Sequence, residues 1–373
     1  MSLGGVPYTC GTFPQLNSKS KNGIQYPLSP LDAIVVQRIL NSGGEIAGTV
    51  TCENYSLTPL SYTSANGPVH NPWLRSYNAG GSSSGAASLL GLQVARAAGV
   101  PGLESAGKDI GMALGGDQAG SIRCPAAYCG VYGLKPTYGL VPYTGIAGLH
   151  PMIDHVGPMA VKLDDIALLL QAIAGYDGMD ARMSPETPLP HTIQQYYHEL
   201  LKFSAEFAAI GISSLRIGII TESLVAPYTA LEVASVVRDA AFKYFTAAGA
   251  AVSEVSIPMH LIGPSIWTAS CRNNLGFLGM GSRVPDILTH GLPQWAPRWP
   301  PDQEMFNLLT HHNPAVMHVI FGETFLNDRF GPGLKPRRTV IFFSCEKPTT
   351  RPWPSLIFSL LRRHQPWHLD TRI

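Results

Sequence analysis

Ile34, Val35, Ile39 and Leu40 recur at the spacing of one helical face, behind Ser29-Pro30-Leu31-Asp32, which reads as an N-cap with proline at the first helical position. Gly43-Gly44 closes that helix, and Glu45 to Val50 then reads as a short strand. Leu163 to Ala174 gathers Ile166, Leu169, Leu170 and Ile173 on one face, the pattern of a helix packed on a core. Farther along, Leu215 to Thr221 is a β-branched run, Ala230 to Ala248 is a helix that Gly249 ends, and Ala250 to Ile257 alternates like a strand. A strand, a helix and a strand of these lengths predict a right-handed parallel crossover. Between residues 64 and 160 the periodicity yields to a glycine-rich polar section, with one apolar helix, Ala86 to Ala98, inside it.

Composition narrows the picture. The 38 glycines and 31 prolines among 373 residues require many loops. An apolar fraction of 45% with 14% charged residues excludes a disordered chain, and 26 basic against 25 acidic residues exclude a nucleic-acid binder driven by bulk charge. The length suffices for one large α/β domain without disulfide or metal staples. Six cysteines, at 10, 52, 124, 129, 271 and 345, form no C-x-x-C pair, and the twelve histidines form no H-E-x-x-H. Reduced, buried thiols and no metal are the expectation. With no leader pattern and no 18-residue apolar run, a cytoplasmic protein without membrane contact is expected. Residues 331–373 carry eight Lys/Arg against Glu346 and Asp370, and their prolines break any amphipathic helix, so a poorly ordered basic tail is expected.

The unusual chemistry sits in two turns. Gly80-Gly81-Ser82-Ser83-Ser84-Gly85 precedes the apolar helix, and Gly115-Gly116-Asp117-Gln118-Ala119-Gly120 ends in Ser121. Glycines let backbone N–H groups converge on an anion, and a hydroxyl beside such donors is what acyl transfer needs. These blocks, with the stretch from Gly116 through Cys129-Gly130 to Lys135-Pro136-Thr137, resemble the amidase signature family, which uses a Ser-Ser-Lys triad. Gly67 to Trp73, Gly139 to Tyr143, Asp154 to Met159 and Gly175 to Asp180 fit the same family, and the similarity is nearest to bacterial amidases of aliphatic and aryl-aliphatic amides. The resemblance implies an α/β fold with a large mixed sheet flanked by helices, over residues 1–336, with 337–373 a tail outside the family. It implies Ser121 as nucleophile and Ser82, behind a cis peptide bond, as proton relay. Backbone N–H groups of Gln118, Ala119, Gly120 and Ser121 would form the oxyanion hole, with Ser83, Asp117 and Arg123 in support. It implies a small-molecule amide substrate, no metal or organic cofactor, no nucleic-acid partner and a homodimer. Glu53, Asn54 and Tyr55 are expected to line the pocket.

Three departures bear on activity. The family lysine lies a few residues ahead of a segment like Gly5-Val6-Pro7, so it would fall just before Met1 and is missing from these residues; Lys108-Asp109 copies the dipeptide between the serine blocks by coincidence. A serine without a base is a poor nucleophile. Ser82 and Ser121 stand 39 positions apart, which points to an insertion over Leu92 to Gly107 able to disrupt the helix, and after Pro336 the likeness stops. Together these lead to the expectation of a chain incomplete or inactive as written. Two alternatives stay open: an amide-binding relative without chemistry, and a serine esterase whose G-x-S-x-G elbow centres on Ser83, with His155 beside Asp154, or His150, as base.

Overall fold

The computed structural model describes residues 1, 3–11, 28–104, 109–149, 151–225, 229–270, 302–312 and 314–330. They fall into two compact units, one holding the described residues up to Tyr197 together with 302–325, the other those of 198–270 and 326–330.

In the first unit α1 (Ile34–Asn41) buries Val35 and Val36. Its N-cap is Ala33 rather than Ser29, with no side-chain cap. Ser29 is spent differently: its N–H bonds Val6 O at 3.1 Å and its carbonyl accepts Gly5 N at 2.9 Å, beside the Pro7–Leu28 bridge. The strand expected at Glu45 to Val50 is absent; all of it but Ile46 is exposed, so no neighbouring chain offers a ladder. Helix α2 (Ser84–Ala97) runs unbroken through Leu92 to Ala97, with Ala95 buried and Gln93 Nε2 bonded to Ile110 O. That half of the expected insertion is helix continuous with the rest, and it leaves the helix after Ser84 intact; residues 105–108, Lys108 among them, lie outside the described residues.

Three strands follow: β1 (Met112–Asp117), then β2 (Tyr132–Gly133) after the short helix α3 (Arg123–Cys129), then β3 (His155–Ala160). The order is β1-β3-β2, antiparallel throughout, with Asp117 opposite His155 and Leu114 opposite Pro158. Helix α4 (Leu163–Ile173) buries the four predicted residues Ile166, Leu169, Leu170 and Ile173. It packs with α1 and Val156 in one cluster, while Leu90, Ile122 and Met159 centre a second between α2, α3 and the sheet.

Each strand carries a glycine at which a side chain would collide with its neighbours, and Ile122 is among those neighbours at all three, beside Ser83 Oγ at Gly115, Ala126 Cβ at Gly133 and Leu134 O at Gly157. A Cβ on Gly115 would come 2.9 Å from Ile122 Cγ1, on Gly133 2.9 Å from Cγ2 and on Gly157 3.2 Å from Cδ1. The residue after Ser121 is thereby keyed into the sheet. Ile122→Val removes the Cδ1 that faces Gly157 and is expected to cost about 1 kcal/mol in urea denaturation, as buried Ile→Val changes do. A cost near zero would mean that the space it leaves collapses freely.

The chain passes into the second unit in α5 (Tyr196–Ile210), followed by β4 (Arg216–Ile220), α6 (Thr221–Val225), α7 (Leu231–Ala240) with a π-helical turn to Thr246, and β5 (Ala251–Val255). β4 and β5 pair in parallel, as the crossover predicts, over Ile219, Leu224 and Ala234. Helix α8 (Met259–Ser270) ends the continuous stretch. Helices α9 (Gln303–His312) and α10 (Pro314–Phe330) complete the described residues; Tyr55 packs on Met305, Leu309, Val316 and Met317.

The class is therefore α/β, with the described strands in two sheets. No helix among the described residues is long and apolar enough to cross a membrane. Cys10, Cys52, Cys124 and Cys129 are free thiols, and only Cys129 is buried; the expected basic tail, Cys271 and Cys345 lie outside the described residues.

Candidate active site

The first serine turn is held by what surrounds Glu53. Its N–H bonds Ser82 O at 3.1 Å, and its carboxylate, with no exposed surface, accepts Thr63 N at 2.8 Å, Thr58 Oγ1 at 3.1 Å, Ser84 Oγ at 3.2 Å and Thr63 Oγ1. Four donors let a carboxylate sit in the core at all. Gly81 has no room for a side chain here, and the Gly81–Ser82 peptide bond is cis, as the resemblance implies. Ser82 is 2% exposed.

The second turn leaves β1 at Asp117. That buried carboxylate accepts Gly120 N at 2.7 Å and Ile122 N at 3.2 Å, and Arg123 reaches it with Nε and Nη2, each at 3.0 Å. Burial would push this carboxyl up. The Arg123 hydrogen bond and charge, with the two N–H groups, outweigh it and hold the group below the usual carboxylate range. Gly120 takes φ +122°, a conformation that glycine alone adopts readily.

The two turns touch. Ser83 N donates to Ser121 O at 3.2 Å, and the Ser83 hydroxyl bridges Gly116, accepting its N–H at 3.2 Å and donating to its carbonyl at 3.3 Å. The hydroxyls of Ser82 and Ser121 make no hydrogen bond among the described residues, and neither do the N–H groups of Ala119 and Ser121. Gly120 differs from its expected role, since its N–H is already given to Asp117. Gln118 donates from Nε2 to Tyr143 Oη at 2.9 Å. Asp117 and Arg123 brace the loop, and Ser83 ties it to the first turn.

Other expectations fare differently. Glu53, Asn54 and Tyr55 are buried behind the first turn, so they line no open pocket. An esterase elbow is not formed: no strand leads into Gly81, and the Ser83 hydroxyl is committed to Gly116. His155 places Nδ1 2.8 Å from Ile153 O, which makes that nitrogen the protonated one, and Nε2 lies 3.4 Å from Lys135 Nζ. Burial first, then the Lys135 charge, pushes its pKa down to about 4, so the ring is neutral but both nitrogens are engaged. His150 lies outside the described residues. Among the described residues no three His, Cys, Asp or Glu side chains gather as metal ligands. Nothing in residue type singles out Tyr143, Asp154 or Arg182; the first two lie in family-like stretches and the third just beyond one.

Residues 3–276 match the sequence model of the family described as Amidase. An enantioselective amidase from Rhodococcus rhodochrous is 37% identical over 238 residues, which are 63% of this chain and 40% of that protein. One subunit of the glutamyl-tRNA(Gln) amidotransferase of Methanosarcina acetivorans is 38% identical over 181 residues, 48% of this chain and 33% of that protein. The chain therefore spans less than half the length of these two relatives. The solved structure of the corresponding glutamyl-tRNA(Gln) amidotransferase subunit from Thermotoga maritima shares the fold, with a TM-score of 0.58 at 23% identity over 88% of this chain and 63% of that one.

Proposed function

We propose, from the premise that this chain belongs to the amidase family, that its serine turns hydrolyse a small-molecule carboxamide to the acid and ammonia or an amine. Ser121 Oγ attacks the carbonyl carbon and passes its proton towards Ser82. The N–H groups of the turn, Ala119 and Ser121 foremost, receive the oxyanion, a contact worth roughly 3 kcal/mol per donor. Collapse expels the amine with the relayed proton, leaving an ester on Ser121, and water then releases the acid and restores the serine. The carrying observation is the contact of the two turns, Ser83 N on Ser121 O at 3.2 Å, beside N–H groups left without acceptors. A cytoplasmic location, expected from the sequence pattern, and a homodimeric state, expected from the resemblance, go with this proposal.

By the same resemblance the acceptor beyond Ser82 is a lysine ahead of Gly5-Val6-Pro7, and the test supplies it. The 373 residues alone are expected to leave a fluorophosphonate unreacted. Behind the Lys-Asp segment of a relative they are expected to take one equivalent at Ser121, found by peptide mass spectrometry, and to lose it on Ser121→Ala. An adduct that survives Ser121→Ala removes the serine from its role. An adduct at Ser121 in the shorter chain would keep the serine and discard the need for that lysine.

A further inference from the structure

Three family-like stretches, Gly139 to Tyr143, Asp154 to Met159 and Gly175 to Asp180, have no part in the chemistry above, yet their polar groups meet around one phenol. Tyr143 N donates to Asp180 Oδ2 at 2.8 Å. Arg182 grips the same carboxylate with Nε at 2.7 Å and Nη2 at 2.9 Å, and lies 3.7 Å from Asp154 Oδ2. Asp154 is fixed in turn by Leu149 N, at 3.1 Å and 3.0 Å to its two oxygens. The Arg182 guanidinium carbon stands 4.2 Å over the Tyr143 ring, which also belongs to the apolar cluster of Val141, Ile146 and Val156. Tyr143 is 5% exposed, and its ring and backbone are held by Arg182, Asp180 and that apolar cluster.

The hydroxyl at the end of this post accepts Gln118 Nε2 at 2.9 Å. Asp117 holds the far half of the turn, at Gly120 and Ile122, and touches nothing of Gln118 among its bonds. Tyr143 supplies a tie on the near half, made to the Gln118 side chain. We propose that Tyr143 is a positioning residue that fixes Gln118 and so aims the N–H groups of the 118–121 turn at the reacting carbonyl; this rests on the reading of Ser121 as nucleophile. Burial and then the Asp154 charge keep the phenol well above its ordinary pKa, so it remains a neutral acceptor. Aim matters because oxyanion donors act only when they meet the developing charge without rearranging.

Tyr143→Phe removes the hydroxyl and leaves the ring under Arg182. Native-state hydrogen exchange of Gly120 and Ile122, whose N–H groups bond Asp117, is expected to quicken about tenfold while exchange in α4 stays put. Tyr138→Phe, which loses a bond from its hydroxyl to Pro151 O instead, serves as the control and leaves the turn unchanged. Gln118→Leu breaks the same bond from the other end, covering the case in which Tyr143→Phe does not fold, and the double variant is expected to match either single one. In the chain carrying the upstream lysine, fluorophosphonate uptake at Ser121 slows about tenfold in Tyr143→Phe. Unchanged exchange at Gly120 and Ile122 overturns the inference while Ser121-dependent uptake still supports the reading beneath it. Quickened exchange throughout the unit marks Tyr143 as packing only and overturns it as well. Uptake that survives Ser121→Ala overturns both.

Discussion

Gly81→Ala is expected to destabilise the protein by about 4 kcal/mol, above the usual 1–3 for one added methyl in a packed core. The new Cβ would lie 2.1 Å from Leu60 O, 2.7 Å from Thr58 O and 3.0 Å from Glu53 Cγ. Two of these are backbone, and the third belongs to a side chain pinned by four hydrogen bonds, so no flexible end can swing aside. Relief requires shifting the 53–63 segment, which breaks the Glu53 N to Ser82 O bond and releases the first serine turn. Gly111→Ala is the matched control, because its Cβ would meet nothing within 4 Å, and a change below about 0.5 kcal/mol is expected there. Urea denaturation of both variants reads the difference. A cost for Gly81→Ala as small as that of Gly111→Ala would show that the wall around Ser82 yields, and that the turn is not rigidly held.

The same dependence on close packing explains which parts of the molecule could be read from the sequence. Helix α4 and the β4–α7–β5 unit announce themselves, since their apolar residues follow the period of the element and glycine stands at its end, as Gly249 does with φ +97°. The central sheet does not. β1 ends in Leu114-Gly115-Gly116-Asp117 and β3 carries Gly157-Pro158 in its middle, residues that argue against a strand. Their reason is tertiary: at three strand glycines a Cβ would meet Ile122 together with Ser83 Oγ, Ala126 Cβ or Leu134 O, and nothing local says so. The strand read at Glu45 to Val50 fails for the converse reason, a suitable pattern with no partner. The serine turns are legible through motif resemblance and glycine content, and a supporting place for Asp117 and Arg123 is legible through the resemblance alone. The bond of Tyr143 to Asp180 and that of Ser84 to Glu53 join segments more than thirty positions apart, which residue type and spacing do not encode.

Asp117→Asn is expected to cost about 3 kcal/mol near neutral pH, because one of its two acceptor oxygens becomes a donor facing donors. Placed either way round, the amide nitrogen would confront Gly120 N and Arg123 Nη2, or Ile122 N and Arg123 Nε. Arg123 keeps 43% of its side-chain surface in water and recovers part of its loss there, so most of the cost falls on the N–H groups of the turn. The pH dependence follows from the direction of the shift. The folded carboxyl titrates below its unfolded counterpart, whose pKa is about 3.9, so its contribution is whole above that value and fades as pH falls through the lower, folded one. The stability gap between wild type and Asp117→Asn should therefore hold steady from about pH 7 to about pH 5 and shrink below about pH 4. Denaturation across that range measures it, and a gap that ignores pH would mean the variant suffers from shape rather than from the lost charge. With Gly120 and Ile122 released, the turn loses the conformation that leaves Ala119 and Ser121 free to donate. In the chain carrying the upstream lysine, uptake of a fluorophosphonate at Ser121 should then fall together with stability above about pH 5.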